Sequence, residues 1–145
     1  MLEQFKRLYD EHGVRRYYVG GALGVDMWAG ELILRLKEQP GYGDIELVVV
    51  LPFEGHDSKW DERSKRRMDF LLRMCSDCVV IGKEDCRENY IKRNCYMVDH
   101  ADYLVAVYDN ERNLRSGTMQ TVRYAQNKGI TISFVNPDTA TVTTN

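Results

Sequence analysis

Gly20-Gly21-Ala22-Leu23-Gly24-Val25-Asp26-Met27-Trp28-Ala29-Gly30-Glu31 follows directly on a short apolar run ending at Val19. A glycine-rich turn of this kind, placed between a strand and an amphipathic helix, lets a ligand approach backbone closely. It also aims unpaired N–H groups outward, and the helix macrodipole adds partial positive charge at the same point. An anionic group, most often a phosphate, is the natural occupant.

The repeat of apolar positions on either side of this stretch sets the fold class. Val25, Trp28, Ala29, Leu32, Ile33 and Leu36 recur at i, i+3, i+4 and i+7, which predicts a helix until Pro40, Gly41 and Gly43 break it. Upstream, Leu2, Phe5, Leu8 and Tyr9 mark one face of a first helix closed by Gly13, and Arg15 to Val19 reads as a strand. Downstream, Ile45 to Leu51 is an apolar run broken by one acidic residue, Glu46, as expected of a strand covered on both faces. A polar loop, Pro52 to Trp60, leads to a charged helix with Met68, Leu71, Leu72 and Cys75 turned inward. Cys78 to Ile81 reads as another buried strand, Tyr90 to His100 as a helix and Tyr103 to Tyr108 as a strand. Ser116-Gly117-Thr118 opens a helix capped by Gly129, and Ile130 to Val135 is the last strand. The threonine-rich tail from 136 to 145 is expected to fray, so residues 1–135 form the one domain.

Helices alternating with strands imply crossover units and a mostly parallel sheet. In such sheets ligands bind beyond the carboxyl ends of the strands. The segments there are Gly20 to Ala22, Phe53 to Trp60, Gly82 to Tyr90 and Asp109 to Thr118, which hold both glycine-led helix starts.

Composition excludes several classes. A chain of 145 residues is large enough for a real core, and a formal charge of −2 supplies no global field for nucleic acid or an anionic membrane. No apolar run approaches the roughly 20 residues of a membrane helix, and the first residues lack the apolar stretch of a signal peptide, so a cytosolic chain is expected. Cys75-Ser76-Asp77-Cys78 has the spacing of a metal or redox pair, but there is no second such pair and His12, His56 and His100 are scattered. Both cysteines therefore read as small core residues, and neither a metal nor a cofactor is called for.

The candidate ligand-binding residues are Gly20, Gly21, Gly24, Asp26, Glu31, Trp60, Tyr90, Arg93, Asn94, Ser116, Gly117 and Thr118. Asp26, in the first helical turn, either complements the dipole or contacts a ribose hydroxyl. Glu31, further along, is either a base near the site or a solvated acid. Trp60 either stacks on a nucleobase or covers the core. Tyr90, Arg93 and Asn94 share one helix face; Arg93 is a fork of donors for phosphate or a salt-bridge partner of Glu88 or Asp99. His56 and Asp57 read as a solvated loop. Lys65-Arg66-Arg67, flanked by Asp61, Glu62 and Asp69, reads as a solvated helix face. The dinucleotide pattern GxGxxG and the P-loop are both absent.

Several blocks resemble the YpsA-like proteins, which include prophage-encoded relatives. Gly20 to Glu31 is similar to their GGALGVDxWAAE stretch, Pro52-Phe53 with Trp60 to their PF…W loop, and Tyr90 with Arg93 to Asp99 and Asp102 to their Y…RNxYMVDxAD block. Leu104 to Asp109 and Ser116-Gly117-Thr118, with Tyr124-Ala125 beyond them, are similar to the LIAVYDG…GGT block. The resemblance implies the SLOG group: a Rossmann-like three-layer sandwich with a mostly parallel sheet, related to LOG hydrolases and DprA-like proteins. It also implies recognition of a nucleotide or nucleotide-derived ligand. Two departures stand out. The glutamate of LOG hydrolases has no counterpart in Arg115-Ser116-Gly117-Thr118-Met119-Gln120-Thr121, and Gln120 cannot exchange a proton, so no catalytic residue is assigned. The first strand of relatives, with its Gly-Tyr-Arg-like motif, is lacking, so the sheet closes up without it, another chain supplies it, or the reading frame is incomplete.

These residues point to binding or sensing of a nucleotide-like small molecule through two glycine-led helix N-termini. The alternatives are N-glycosidic hydrolysis of a nucleotide, with Glu31 or Asp26 replacing the missing glutamate, and single-stranded DNA binding, against which the near-neutral charge argues. Association with a second copy of the chain is left open.

Overall fold

The computed structural model describes residues 1–107, 116–136 and 142–144. Tyr108, Asp109 and Arg115 of the family-like motifs lie outside the described residues, as do 137–141 and Asn145 of the tail. The chain divides into two compact units, Met1–Arg93 and Asn94–Asn145.

The N-terminal unit runs α1 (Leu2–His12), β1 (Arg16–Val19), α2 (Val25–Lys37), β2 (Glu46–Phe53), α3 (Glu62–Met74), β3 (Asp77–Gly82) and the first half of α4 (Arg87–Asp99). Its sheet has the order β1-β2-β3, all parallel, with Val19 beside Val49 and Phe53 beside Gly82. Leu47 to Phe53 of the central strand are all buried, as a continuous apolar run predicts. α1 and α3 pack on α2, which packs on β1 and β2. Met27, Ile33, Leu36, Ile45, Val49, Val50, Met68 and Leu71 fill this core. Gly30 brings α2 against α3: a Cβ there would stand 3.2 Å from Leu71 Cδ1. α1 is fastened by Tyr17, whose hydroxyl donates to the Phe5 carbonyl at 2.7 Å, and by Tyr9, bonded to Asp44 and covered by Arg15.

Three expectations from periodicity are corrected. Val25 and Trp28 are exposed, at 42% and 52%, while Met27 is fully buried. α2 sits between α1 and α3 and is buried on most sides, so a single apolar stripe misplaces its solvent face. β3 is not a buried strand: it is an edge of its sheet, with Val80 and Cys78 exposed. Cys78 is thus no core residue, and Cys75 is half-buried.

The C-terminal unit holds the rest of α4, β4 (Tyr103–Val107), α5 (Ser116–Lys128), β5 (Thr131–Val135) and β6 (Val142–Thr144). β4 and β5 are parallel; β6 pairs antiparallel with β5. Its core is Val98, Ala106, Val122, Ala125 and Ile132, with Tyr124, Ile130 and Phe134 against it. Instead of fraying, Val142–Thr144 of the tail forms a strand, in keeping with its β-branched residues.

Candidate functional site

The candidate site of the N-terminal unit lies where β1, β2 and β3 end. β2 continues four residues beyond Val49, the partner of Val19, so Val50 to Phe53 run alongside the glycine turn. Gly20 and Gly21 are buried there, and Gly21 has φ +69°. A Cβ on Gly21 would come within 2.6 Å of Leu51 Cδ2, so this position requires glycine for both conformation and space. Gly24 is exposed, has φ +86° and is the N-cap of α2; no side chain caps the helix. The first intrahelical bond runs from the Trp28 N–H to the Gly24 carbonyl. The N–H groups of the first turn lie at the positive pole of a 13-residue helix.

Two side chains from other elements hold the turn by its carbonyls. Arg93 of α4, 8% exposed, donates from Nη1 to the Gly20 carbonyl at 2.9 Å. The Asp26 carboxyl feels the nearby Gly20 and Ala22 N–H groups and the Arg93 charge. His56, from the loop after β2, bonds the Gly21 carbonyl through Nε2 at 2.9 Å, which makes that nitrogen the protonated one. Burial pushes the Asp26 carboxyl above the ordinary carboxylate range, against the pull of Arg93 and the two N–H groups. Burial likewise lowers the Arg93 guanidinium, and Asp26 opposes that.

Aromatic groups surround this turn. Trp60 is half-buried and meets His56 edge to face at 5.1 Å. Tyr90 packs edge to face on Phe53 at 5.9 Å, and Arg93 stands 5.4 Å over its ring. Asn89 is buried against Gly82 and donates from Nδ2 to the Glu84 carbonyl at 2.7 Å, fixing the entry to α4. The structure thus brings together Gly20, Gly21, Asp26 and Arg93 around one turn. Glu31 is elsewhere, taken by Arg67 of α3 through both oxygens, one at 3.2 Å. Asn94, half-buried, and Ser116, Gly117 and Thr118, at the start of α5, belong to the C-terminal unit.

His56 corrects the expectation of a solvated loop, and Asn89 was not singled out by sequence at all. A histidine after a strand end has no periodic signature; only the register of β2 beside the turn brings it to Gly21. Lys65 stands near Glu62 at 3.9 Å and Arg67 is paired, so the basic run is largely answered within its own surface. Depressions of about 370 Å³ beside Glu3, Arg7 and Asp10 and about 490 Å³ beside Arg66, Asp69 and Arg73 lie on helix faces of mixed charge, away from the turn. Among the described residues no group of His, Cys, Asp and Glu could hold a metal ion, and no helix is long and apolar enough to cross a membrane.

A family model described as the YspA SLOG family (YpsA) matches residues 1–140. The chain belongs to this family. It is similar to a UPF0398 protein of Staphylococcus epidermidis, 26% identical over 114 residues that cover 77% of this chain and 59% of the relative. UPF0398 proteins of Bacillus cereus and Bacillus thuringiensis are each 29% identical over 104 residues, 70% of this chain and 55% of the relative. The chain therefore spans between 55% and 59% of the length of these curated relatives. Family membership agrees with the α/β, Rossmann-like arrangement.

Proposed function

We propose that this SLOG protein binds a nucleotide or nucleotide-derived ligand at the carboxyl ends of β1, β2 and β3. The observation that carries the reading is the start of α2. An exposed glycine N-cap leaves the first-turn N–H groups without a side-chain partner, next to a turn too tightly packed for any residue but glycine. That arrangement suits an anionic group. Trp60, half-buried beside His56, offers a ring edge and face to a base, and Tyr90, 37% exposed, offers a second. Gly20, Gly21 and Gly24 shape the anion end, with Asp26 and Arg93 behind them. Glu31 supports the site through the α2–α3 pair with Arg67. Ser116, Gly117 and Thr118 make the second glycine-led helix start, at α5, and Asn94 stands on α4; both are carried as further candidate contacts.

The experiment is a titration with AMP, ADP and ADP-ribose, read by melting temperature and tryptophan fluorescence. Trp28 and Trp60 are the chain's two tryptophans, so fluorescence reports the N-terminal unit. A ligand present at about 100 times its Kd adds about 2.7 kcal/mol to stability. The expected result is a higher melting temperature together with a fluorescence change that Trp60→Phe removes. No change in either signal with any of the three at millimolar concentration overturns the proposal.

A further inference from the structure

β3 turns a row of backbone groups and two small side chains to solvent. Among the described residues it pairs with β2 alone. Val80 is 47% exposed, and Cys78 is exposed as well. Natural sheet edges are guarded by charge, proline or a bulge, yet Cys78 to Gly82 carries no charge and no proline. Asp77 and Lys83 bracket that stretch. Both are exposed, and neither has an ion-pair partner among the described residues.

Two hydrogen bonds show which groups of the edge are free. The Cys78 N–H donates to Asp77 Oδ1 at 2.9 Å, so it is directed away from β2. The Glu46 N–H donates to the Arg15 carbonyl at 2.8 Å, so Glu46 and Val48 bond toward β1, and Asp77, beside Val48, is the residue that bonds β2. By alternation Cys78, Val80 and Gly82 turn their N–H and C=O groups outward. An added antiparallel strand must match outward residue to outward residue, so a one-residue slip is forbidden. The edge can then be laid against itself in few ways. Val79 opposite Val79 sets Asp77 against Ile81. Ile81 opposite Ile81 sets Asp77 against Asp85, a like-charge pair. Val80 opposite Val80 sets Asp77 against Lys83, Val79 against Ile81 and Cys78 against Gly82.

We propose that β3 is a self-association edge: two copies of this chain pair antiparallel through it, with Val80 on the two-fold axis and Asp77 of each copy opposite Lys83 of the other. The proposal goes beyond the nucleotide reading and does not depend on it. Such a contact is isologous and closes at two copies. Val80 meets Val80 of the second copy, with Cys78 diagonal to it, so the exposed apolar row is covered. The Cys78 N–H passes from Asp77 to the Gly82 carbonyl of the second copy. The released carboxylate faces Lys83 across a non-hydrogen-bonded pair, where side chains lie closest. Symmetry forms this ion pair on both sides of the axis.

The experiment is sedimentation equilibrium of the whole chain from micromolar to millimolar concentration, with amide exchange read alongside. The mass is expected to rise from 16.9 kDa toward twice that value and to level there. The Val80 amide is expected to gain protection in step with it. Val80→Lys places two ammonium groups on the axis and is expected to abolish the dimer. Asp77→Lys sets lysine against Lys83 and is expected to weaken dimerisation about tenfold. Adding Lys83→Asp to it exchanges the two charges and is expected to restore the parent constant to within about threefold. All three side chains are exposed, and an unchanged melting temperature of the dilute variants checks their folding. A parent that stays at the mass of one copy at millimolar concentration overturns the proposal, as does growth past two copies. A dimer that survives Val80→Lys, or a charge exchange that restores nothing, also overturns it.

Discussion

Replacing Gly21 by alanine tests the packing of the turn against β2, and Gly13 supplies its control. The two residues have nearly the same backbone conformation, φ +69° and +70°. Nothing lies within 4 Å of a Cβ built on Gly13, whereas on Gly21 it meets Leu51 Cδ2 at 2.6 Å and Val49 Cγ1 at 3.5 Å. Gly13→Ala therefore reports left-handed strain alone, about 1 to 2 kcal/mol. Gly21→Ala adds overpacking of about 1 to 3 kcal/mol, because Leu51 is buried within a central strand and has little room to turn. The entropy that alanine removes from the unfolded chain, about 0.4 to 1 kcal/mol, is common to both and cancels. Urea unfolding followed by tryptophan fluorescence reads the N-terminal unit. With an m-value of about 2 kcal/mol/M, the midpoints of the two variants differ by about 0.5 to 1.5 M. Leu51→Val, which withdraws the offending methyl, is expected to recover part of the loss in the Gly21→Ala background. Equal midpoints for Gly13→Ala and Gly21→Ala would show that β2 does not confine the turn, and would refute the reasoning.

Gly82→Ala is expected to cost about 1 to 3 kcal/mol, since its Cβ falls on the buried Asn89 side chain. Asn89→Ala combined with it is expected to cost less than the two separately, by about 0.5 kcal/mol or more in a double-mutant cycle, and strict additivity counts against the contact. Asp61 caps α3 by accepting from the Ser64 N–H at 2.9 Å, and that bond holds its carboxyl below the ordinary range. A lowered folded-state pKa gives stability that is present above the unfolded value and lost as pH falls through the folded one. The urea midpoints of parent and Asp61→Ala are therefore expected to converge in acid, and a gap that stays constant with pH removes the cap as its cause.

The parts of this molecule legible in its sequence are those governed by near neighbours. The apolar repeat located α1 and α2 within a few residues, and the unbroken apolar run at Leu47 to Leu51 marked a strand buried on both faces. Gly13 ended α1 as its position implied. The failures share one origin. Trp28 and Val80 are apolar and exposed because exposure depends on which strand is an edge and which helix is flanked, and neither is a local property. At the site, the glycines were readable because left-handed backbone leaves a residue-type signature. The role of Arg93 was not. Its partner is the carbonyl of Gly20, 73 residues away, and any of several acids nearer in sequence made an equally good partner on paper. His56 was set aside because a polar loop after a strand carries no periodicity, yet strand register alone delivers it to Gly21.

Glycosidic cleavage is where this geometry makes its sharpest negative statement. The reaction needs a carboxyl able to exchange a proton at the leaving base. Gln120 stands where the LOG-type motif has glutamate, which leaves Glu31 and Asp26 as the nominated substitutes. Glu31 is gripped through both oxygens by Arg67, so it must give up a bidentate partner before it can meet a substrate. Burial raises the Asp26 pKa in the sense an acid needs, but the Arg93 charge and the Gly20 and Ala22 N–H groups nearby favour its ionised form. To reach a substrate its carboxyl must move out of this buried setting beside the Arg93 charge. Incubation of AMP with the folded protein is therefore expected to release no adenine above the buffer control, as read by chromatography. Turnover that Glu31→Gln or Asp26→Asn abolishes, with melting temperature unchanged, would mean that these acids leave their partners on substrate binding, and the argument from their engagement would fall.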